Sequence, residues 1–121
     1  MARPIDNKIG TVFIPVSDMR RAVAFYSHLF GLPFEDAAHE GKIYDVAMSG
    51  EVGLILDGHR PVTNSSQPLC CFWTSDIWAA EAFLRENKIE IVSGIEEEGS
   101  VSSLIFEDLD GNRLMVCQPN Y

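Results

Sequence analysis

Apolar residues along this chain recur with two periods, and the periods alternate in a fixed order. Val12, Ile14 and Val16 alternate with Thr11, Phe13 and Pro15, which predicts a strand with one packed face from Thr11 to Val16. The spacing then changes to three and four: Met19, Ala22, Val23, Tyr26, Leu29 and Phe30 fall on one face of a helix. Ser17-Asp18 can cap its first turn by accepting the orphan N–H groups, Gly31 suits a left-handed C-cap, and Pro33 prevents continuation. Strand patterns follow at Ile43 to Met48 and Gly53 to Asp57.

The same order then repeats. A strand pattern from Leu69 to Thr74 leads into Ser75-Asp76 and a helix that buries Ile77, Ala80, Phe83 and Leu84, with Asn87 as its C-terminal cap. Glu90 to Val92, Ser102 to Glu107 and Asn112 to Gln118 read as strands, with turns at Ser49-Gly50-Glu51 and Asp108-Leu109-Asp110-Gly111. Laid over each other, residues 17–25 and 75–83 share Ser, Asp, Ala, Ala and Phe in register, at an offset of nearly half the chain. An internal duplication of a βαβββ unit explains both the match and the repeated order. The expected architecture is α+β, one domain over 1–121, with modules at roughly 9–60 and 66–120 and helices outside largely antiparallel sheets. Gly58 to Pro68, rich in Pro, Asn and Ser, reads as the linker.

Composition narrows the function. A chain of 121 residues, 46% hydrophobic, can bury one real core. Its apolar runs are far shorter than the roughly 18–20 residues that span a bilayer. Residues 1–8 carry charges and a proline but no signal-peptide core, so a cytoplasmic location is expected. The formal net charge is −9, from 18 acidic residues against 9 lysines and arginines, which disfavours nucleic acid and anionic membranes as partners. A cationic small molecule would be attracted instead. Cys70, Cys71 and Cys117 cannot all pair within the chain and sit in apolar strand patterns, where free cysteine packs as a small hydrophobe; no CxxC motif is present.

Ile14-Pro15-Val16-Ser17-Asp18, Ala24-Phe25-Tyr26 and the late Asp108-Leu109-Asp110-Gly111-Asn112 turn, in this order and over nearly the whole chain, resemble the vicinal-oxygen-chelate group. That group is the glyoxalase, bleomycin-resistance and extradiol-dioxygenase superfamily. The resemblance implies that the two modules form a curved, mixed sheet around a cavity. It also places the family's four metal-ligand positions at Thr11, Ile55, Leu69 and Met115. Metal-binding relatives use His, Glu or Gln there, because a divalent ion needs nitrogen or oxygen lone pairs. Thr11 is a weak neutral ligand, Ile55 and Leu69 carry no donor, and Met115 offers a soft thioether. The expectation is no metal, no cofactor and no catalytic residue.

Strand alternation assigns Thr11, Phe13, Ile55, Asp57, Leu69, Cys71, Trp73, Arg113 and Met115 to the cavity. Phe13 and Trp73 offer flat surfaces, Ile55, Leu69 and Met115 greasy walls, and Asp57 and Arg113 orienting charges. Such a lining suits a partly apolar or aromatic ligand; the same residues could instead fill the space as core. His28 is expected on the solvated side of the first helix, while His39 and His59 lie in or beside loops that sequence cannot place. Glu96-Glu97-Glu98 reads as a solvated loop. Asp108 to Asn112 lacks the third oxygen ligand, the late Glu and the flanking helices of a calcium loop. A metal-free small-molecule binder, homodimeric like the bleomycin-resistance branch, is the first reading. A glyoxalase-type lyase or isomerase, or an extradiol dioxygenase, is the second. A dimerising module with no pocket is the third.

Overall fold

Alternation and capping produce the elements they predict, with edges displaced by a few residues. In the computed structural model, which describes residues 3–34 and 41–120, β1 (Thr11–Pro15) leads into α1 (Met19–Phe30), followed by β2 (Ile43–Val46) and β3 (Gly53–Asp57). The second half runs β4 (Cys71–Trp73), α2 (Ile77–Glu86), β5 (Ile91–Glu98), β6 (Val101–Glu107) and β7 (Arg113–Pro119). Both aspartates cap as the repeat requires. Asp18 Oδ1 accepts from Arg21 N at 3.1 Å, and Asp76 Oδ1 from Trp78 N and Ala79 N at 3.1 Å each. Gly31 ends α1 at φ 69°, the left-handed region that favours glycine. At the end of α2 it is Lys88, not the cap Asn87, that takes the left-handed turn, at φ 58°.

The duplication is written into the hydrogen bonds. β1 lies parallel to β3 with Phe13 opposite Ile55, and β4 lies parallel to β7 with Cys71 opposite Met115. Beyond each pair the chain closes with an equivalent bond: Val16 N donates to Asp57 O at 3.0 Å, and Thr74 N to Cys117 O at 2.9 Å. The remaining pairings, β2 with β3, β5 with β6 and β6 with β7, are antiparallel.

Among the described residues the strands form two sheets, β1-β3-β2 and β4-β7-β6-β5. The edges β1 and β4 are not bonded to each other. The first module shows three strands among the described residues, and residues 35–40, between α1 and β2, lie outside them. Glu96-Glu97-Glu98 is not a loop but the end of β5, paired with Ser103, Ser102 and Val101. Backbone pairing into the tight turn at Gly99, φ 69°, holds these exposed glutamates in register although none packs.

One hydrophobic core serves both modules. Ile14, Leu54 and Leu56 from the first sheet, Leu104, Phe106 and Leu114 from the second, and Val23, Tyr26, Ile77 and Leu84 from the helices are all buried in a single cluster. A polar pin at the β6–β7 turn crosses between modules. Asp108 Oδ1 accepts from Asp110 N and Asn112 N at 2.9 Å each, and its Oδ2 accepts from Tyr26 Oη at 2.6 Å. Asn112 Nδ2 donates to Pro15 O at 2.8 Å, while Asp110 accepts from the Ser17 hydroxyl and lies 3.8 Å from Arg21 Nη2. His28 is exposed as expected, yet it is not merely solvated: Nε2 meets Asn87 Oδ1 at 2.7 Å and the ring stacks on Phe83 at 6.0 Å. No described helix is long and apolar enough to cross a membrane.

Candidate functional site

Because β1 and β4 are unpaired edges, a gap remains where the modules meet. It is a cavity of about 810 Å³. Val12 from β1 and Gly53 and Leu54 from β3 line one side; Cys70, Cys71, Phe72 and Trp73 line the other. The end of α1 closes part of it, since Phe30 and Leu32, on either side of the Gly31 turn, both reach the cavity. The β2–β3 connection, from Ala47 to Val52, supplies the remaining wall. Phe30 and Phe72 meet edge to face, with ring centroids 5.0 Å apart and planes at 72°, an arrangement favoured by their quadrupoles. That contact joins α1 of one module to β4 of the other across the gap.

β4 gives the cavity residues from both of its faces. Cys70 and Phe72 pack against the core, whereas Cys71 and Trp73 belong to the alternate, open face. The cavity therefore runs from the core side around a sheet edge toward the open face. Trp73 stands at that rim with 71% of its surface exposed. Burial pushes the Cys70 thiol up to about 11; burial, with a hydrogen bond to Cys117 adding to it, pushes Cys71 up to about 12. Both are thiols, not thiolates, at neutral pH, which makes them poor nucleophiles.

Of the nine residues that alternation assigns to a cavity, Cys71 and Trp73 line this one. Thr11, Phe13 and Ile55 occupy the face of the first sheet opposite the buried Ile14, Leu54 and Leu56, and Phe13 is 49% exposed there. Met115, opposite Cys71 in the register, is half-buried on the corresponding face of the second sheet, and Leu69 beside it is exposed. The two candidate charges have partners within the chain. Asp57 is buried and accepts from His59 N at 2.8 Å and Arg60 Nε at 3.0 Å. Arg113 Nε lies 3.8 Å from Glu107 Oε2, and its Nη1 reaches Ser66 O at 3.5 Å. His59 is exposed, and His39 lies outside the described residues.

Strand alternation misses Val12, Phe30, Leu32, Met48 and Glu51, because they reach the cavity from the packed face, a helix end and a loop. A signal for part of this exists in the sequence: Phe30 and Leu32 flank the capping glycine, so the chain reverses between two large apolar side chains. Nothing in the periodicity marks the β2–β3 connection as a wall.

The family's metal chemistry can be tested against the donor set. The register places Phe13 opposite Ile55 and Cys71 opposite Met115, and Leu69 N donates to Arg113 O at 2.8 Å. Thr11, Ile55, Leu69 and Met115 thus lie on one face of their parallel strand pairs, but together they present one hydroxyl and one thioether to a metal that needs several N or O lone pairs. The residues present do not fit the ion.

The glyoxalase/bleomycin resistance protein/dioxygenase superfamily model matches residues 8–116. Among solved structures, the fold is similar to TnmS3, an antibiotic binding protein from Streptomyces sp. CB03234, with a TM-score of 0.74 and 24% identity over 98% of this chain and 100% of that one. It is equally similar to a glyoxalase/dioxygenase from Nostoc punctiforme, with a TM-score of 0.74 and 19% identity over 100% of this chain and 97% of that one. A putative glyoxalase family protein from Bacillus anthracis aligns with a TM-score of 0.72 and 18% identity, covering 98% of this chain and 100% of that one. No curated protein matches the sequence. The family match spans both modules, the paired strands repeat its order, and the neighbours share its fold: this chain belongs to the glyoxalase/bleomycin resistance protein/dioxygenase superfamily.

Proposed function

We propose that the protein is a metal-free small-molecule binder that holds a partly apolar or aromatic ligand without transforming it. The observation that carries this reading is the cavity of about 810 Å³ between the modules, walled by Val12, Phe30, Leu54, Phe72 and Trp73. Pockets for organic ligands combine apolar walls with few polar anchors, and this one does. The absence of suitable donors at Thr11, Ile55, Leu69 and Met115 argues against glyoxalase or extradiol chemistry, which needs a Lewis acid to polarise its substrate. The neutral Cys70 and Cys71 thiols argue against nucleophilic catalysis in the cavity. The similarity to an antibiotic-binding protein points the same way, toward sequestration.

A homodimer belongs to this reading. Phe13, Leu69 and Trp73 are exposed on the open faces of the sheets. A second copy placed there removes apolar surface from water and extends the cavity wall. Three free cysteines suit the reducing cytoplasm.

The test uses chelator-treated protein. Its melting temperature should rise with an anthracycline, a polycyclic aromatic ligand, and should not respond to Zn, Ni, Fe or Mn at stoichiometric levels. A protein that purifies with stoichiometric metal, and loses stability on its removal, would return the assignment to the enzymes of the family.

A further inference from the structure

We infer that the cavity between the modules selects organic cations: flat, apolar molecules carrying a positive charge. This rests on the binding role proposed above and adds the charge of the ligand. Three observations carry it. The walls include three aromatic rings, Phe30, Phe72 and Trp73, the first two in edge-to-face contact. Among the described residues, Glu51 is the one carboxylate that lines the cavity, and no lysine, arginine or histidine does. Glu51 is exposed on the β2–β3 connection and has no ion-pair partner among the described residues, so no described cation neutralises its charge.

The physical consequences agree in sign. A cation over the face of Trp73 is attracted by the ring quadrupole, and an anion is repelled. A carboxylate at the mouth of a low-dielectric cavity acts on a bound charge more strongly than it would in open water. The net charge of −9 raises the local concentration of cations over the whole surface. Arg60, three residues past the cavity strand β3, is turned to Asp57, and Arg113, at the start of β7, is turned to Glu107. An anionic ligand would therefore meet the Glu51 carboxylate with no cation among the described lining residues to receive it.

The experiment compares two xanthene dyes of matched ring frame and opposite charge, rhodamine 6G as the cation and fluorescein as the anion. Binding to the full chain is followed by fluorescence polarisation at low and at physiological salt. Rhodamine 6G should bind at least tenfold more tightly than fluorescein. Glu51→Gln should weaken rhodamine 6G binding about threefold to fivefold, the range for one exposed charge pair. Glu51→Lys should narrow the gap between the dyes further by improving fluorescein binding. The effect of Glu51→Gln should shrink with salt. The general pull of the protein's net charge is present in every variant, so the Glu51 series isolates the local contribution. Circular dichroism and a urea midpoint confirm that the variants fold; Glu51 is exposed, so its replacement disturbs no buried core. Equal binding of both dyes, or a preference unmoved by either substitution, overturns the charge selectivity and leaves the binding role standing. Binding of neither dye, with no shift from an anthracycline, removes both.

Discussion

Tyr26 and Asp108 lie 82 residues apart in sequence, one in each module, and share a buried hydrogen bond of 2.6 Å. The phenol comes from the packed face of α1 and the carboxylate from the turn between β6 and β7. Asp108 also holds that turn closed through Asp110 N and Asn112 N. One side chain therefore both shapes a hairpin and fastens it to the opposite module. Hydrogen bonds to charged acceptors contribute about 1.5–3 kcal/mol, and more is lost when a buried partner is left unsatisfied.

Tyr26→Phe removes one donor from Asp108 but leaves Asn112 Nδ2 on the same oxygen, at 2.9 Å. The expected loss is about 1–2 kcal/mol. Asp108→Ala strips the acceptors from Tyr26, Asp110 N and Asn112 N together, and should cost upward of about 3 kcal/mol. Urea denaturation measures both. If the two variants lose the same stability, Asp108 serves only Tyr26, and the turn does not depend on its carboxylate.

Alkaline pH should weaken the fold. Burial raises Cys70 from its ordinary 9.0 to about 11, and burial with the neighbouring Asp108 raises Tyr26 as well. Below pH 9 the Cys70 thiol is protonated in folded and unfolded chains alike. Above pH 9 the unfolded chain releases its proton first, so folding stability falls as pH rises toward 11. Tyr26 adds a second decline of the same sign above pH 10, the ordinary value for a phenol. The urea midpoint of Cys70→Ala should fall less steeply than that of the unmodified protein between pH 9 and pH 10. Equal slopes would assign the alkaline loss to other groups.

Much of this fold is legible in the sequence because its signals are local. The Asp18 and Asp76 caps, the Gly31 reversal and the alternation of Val12, Ile14, Leu54 and Leu56 each depend on a few neighbouring residues. The long-range relationships are not local and are legible only in part. Asp108 and Asn112 read as turn residues, and nothing in their spacing reveals Tyr26 or Pro15 as partners. Glu96 to Glu98 look like a loop because strand pairing, not burial, fixes them. Alternation places the cavity on one face of the strands, whereas it winds around the free edge of β4 and takes Phe30, Leu32 and the β2–β3 connection as walls. A period of two gives faces. It cannot say that two sheet edges stay apart.

Lys88 holds φ 58° at the end of α2, a conformation that costs a β-carbon-bearing residue about 1 kcal/mol or more. Glycine adopts it without that clash, at the expense of a more flexible unfolded chain. Lys88→Gly should therefore raise stability by about 0.5–1 kcal/mol, readable as a higher melting temperature. Lys88→Ala, which removes the side chain but keeps the β-carbon, should give no comparable gain. Equal behaviour of the two variants would assign the effect to the lost charge rather than to the backbone.

Trp73 and Trp78 allow the cavity to be watched directly. Trp73 lines it from β4, while Trp78, in the first turn of α2, does not and is 63% exposed. A ligand such as rhodamine 6G in the cavity should quench Trp73 and leave Trp78 largely unchanged, which single-tryptophan variants Trp78→Phe and Trp73→Phe separate. Since Trp73 is 71% exposed in the isolated chain, Trp73→Ala should leave the fold intact, with a change in urea stability of about 0.5 kcal/mol or less. Ligand affinity should nevertheless fall by about 1–3 kcal/mol if the ring anchors the bound molecule, as aromatic residues do at the centre of binding sites. The two readouts distinguish the alternatives. Lost affinity with preserved stability identifies a ligand contact. Unchanged affinity, together with a dimer that dissociates at higher concentration than the unmodified protein, identifies Trp73 as a subunit contact and moves the bound molecule deeper, onto Phe30 and Phe72.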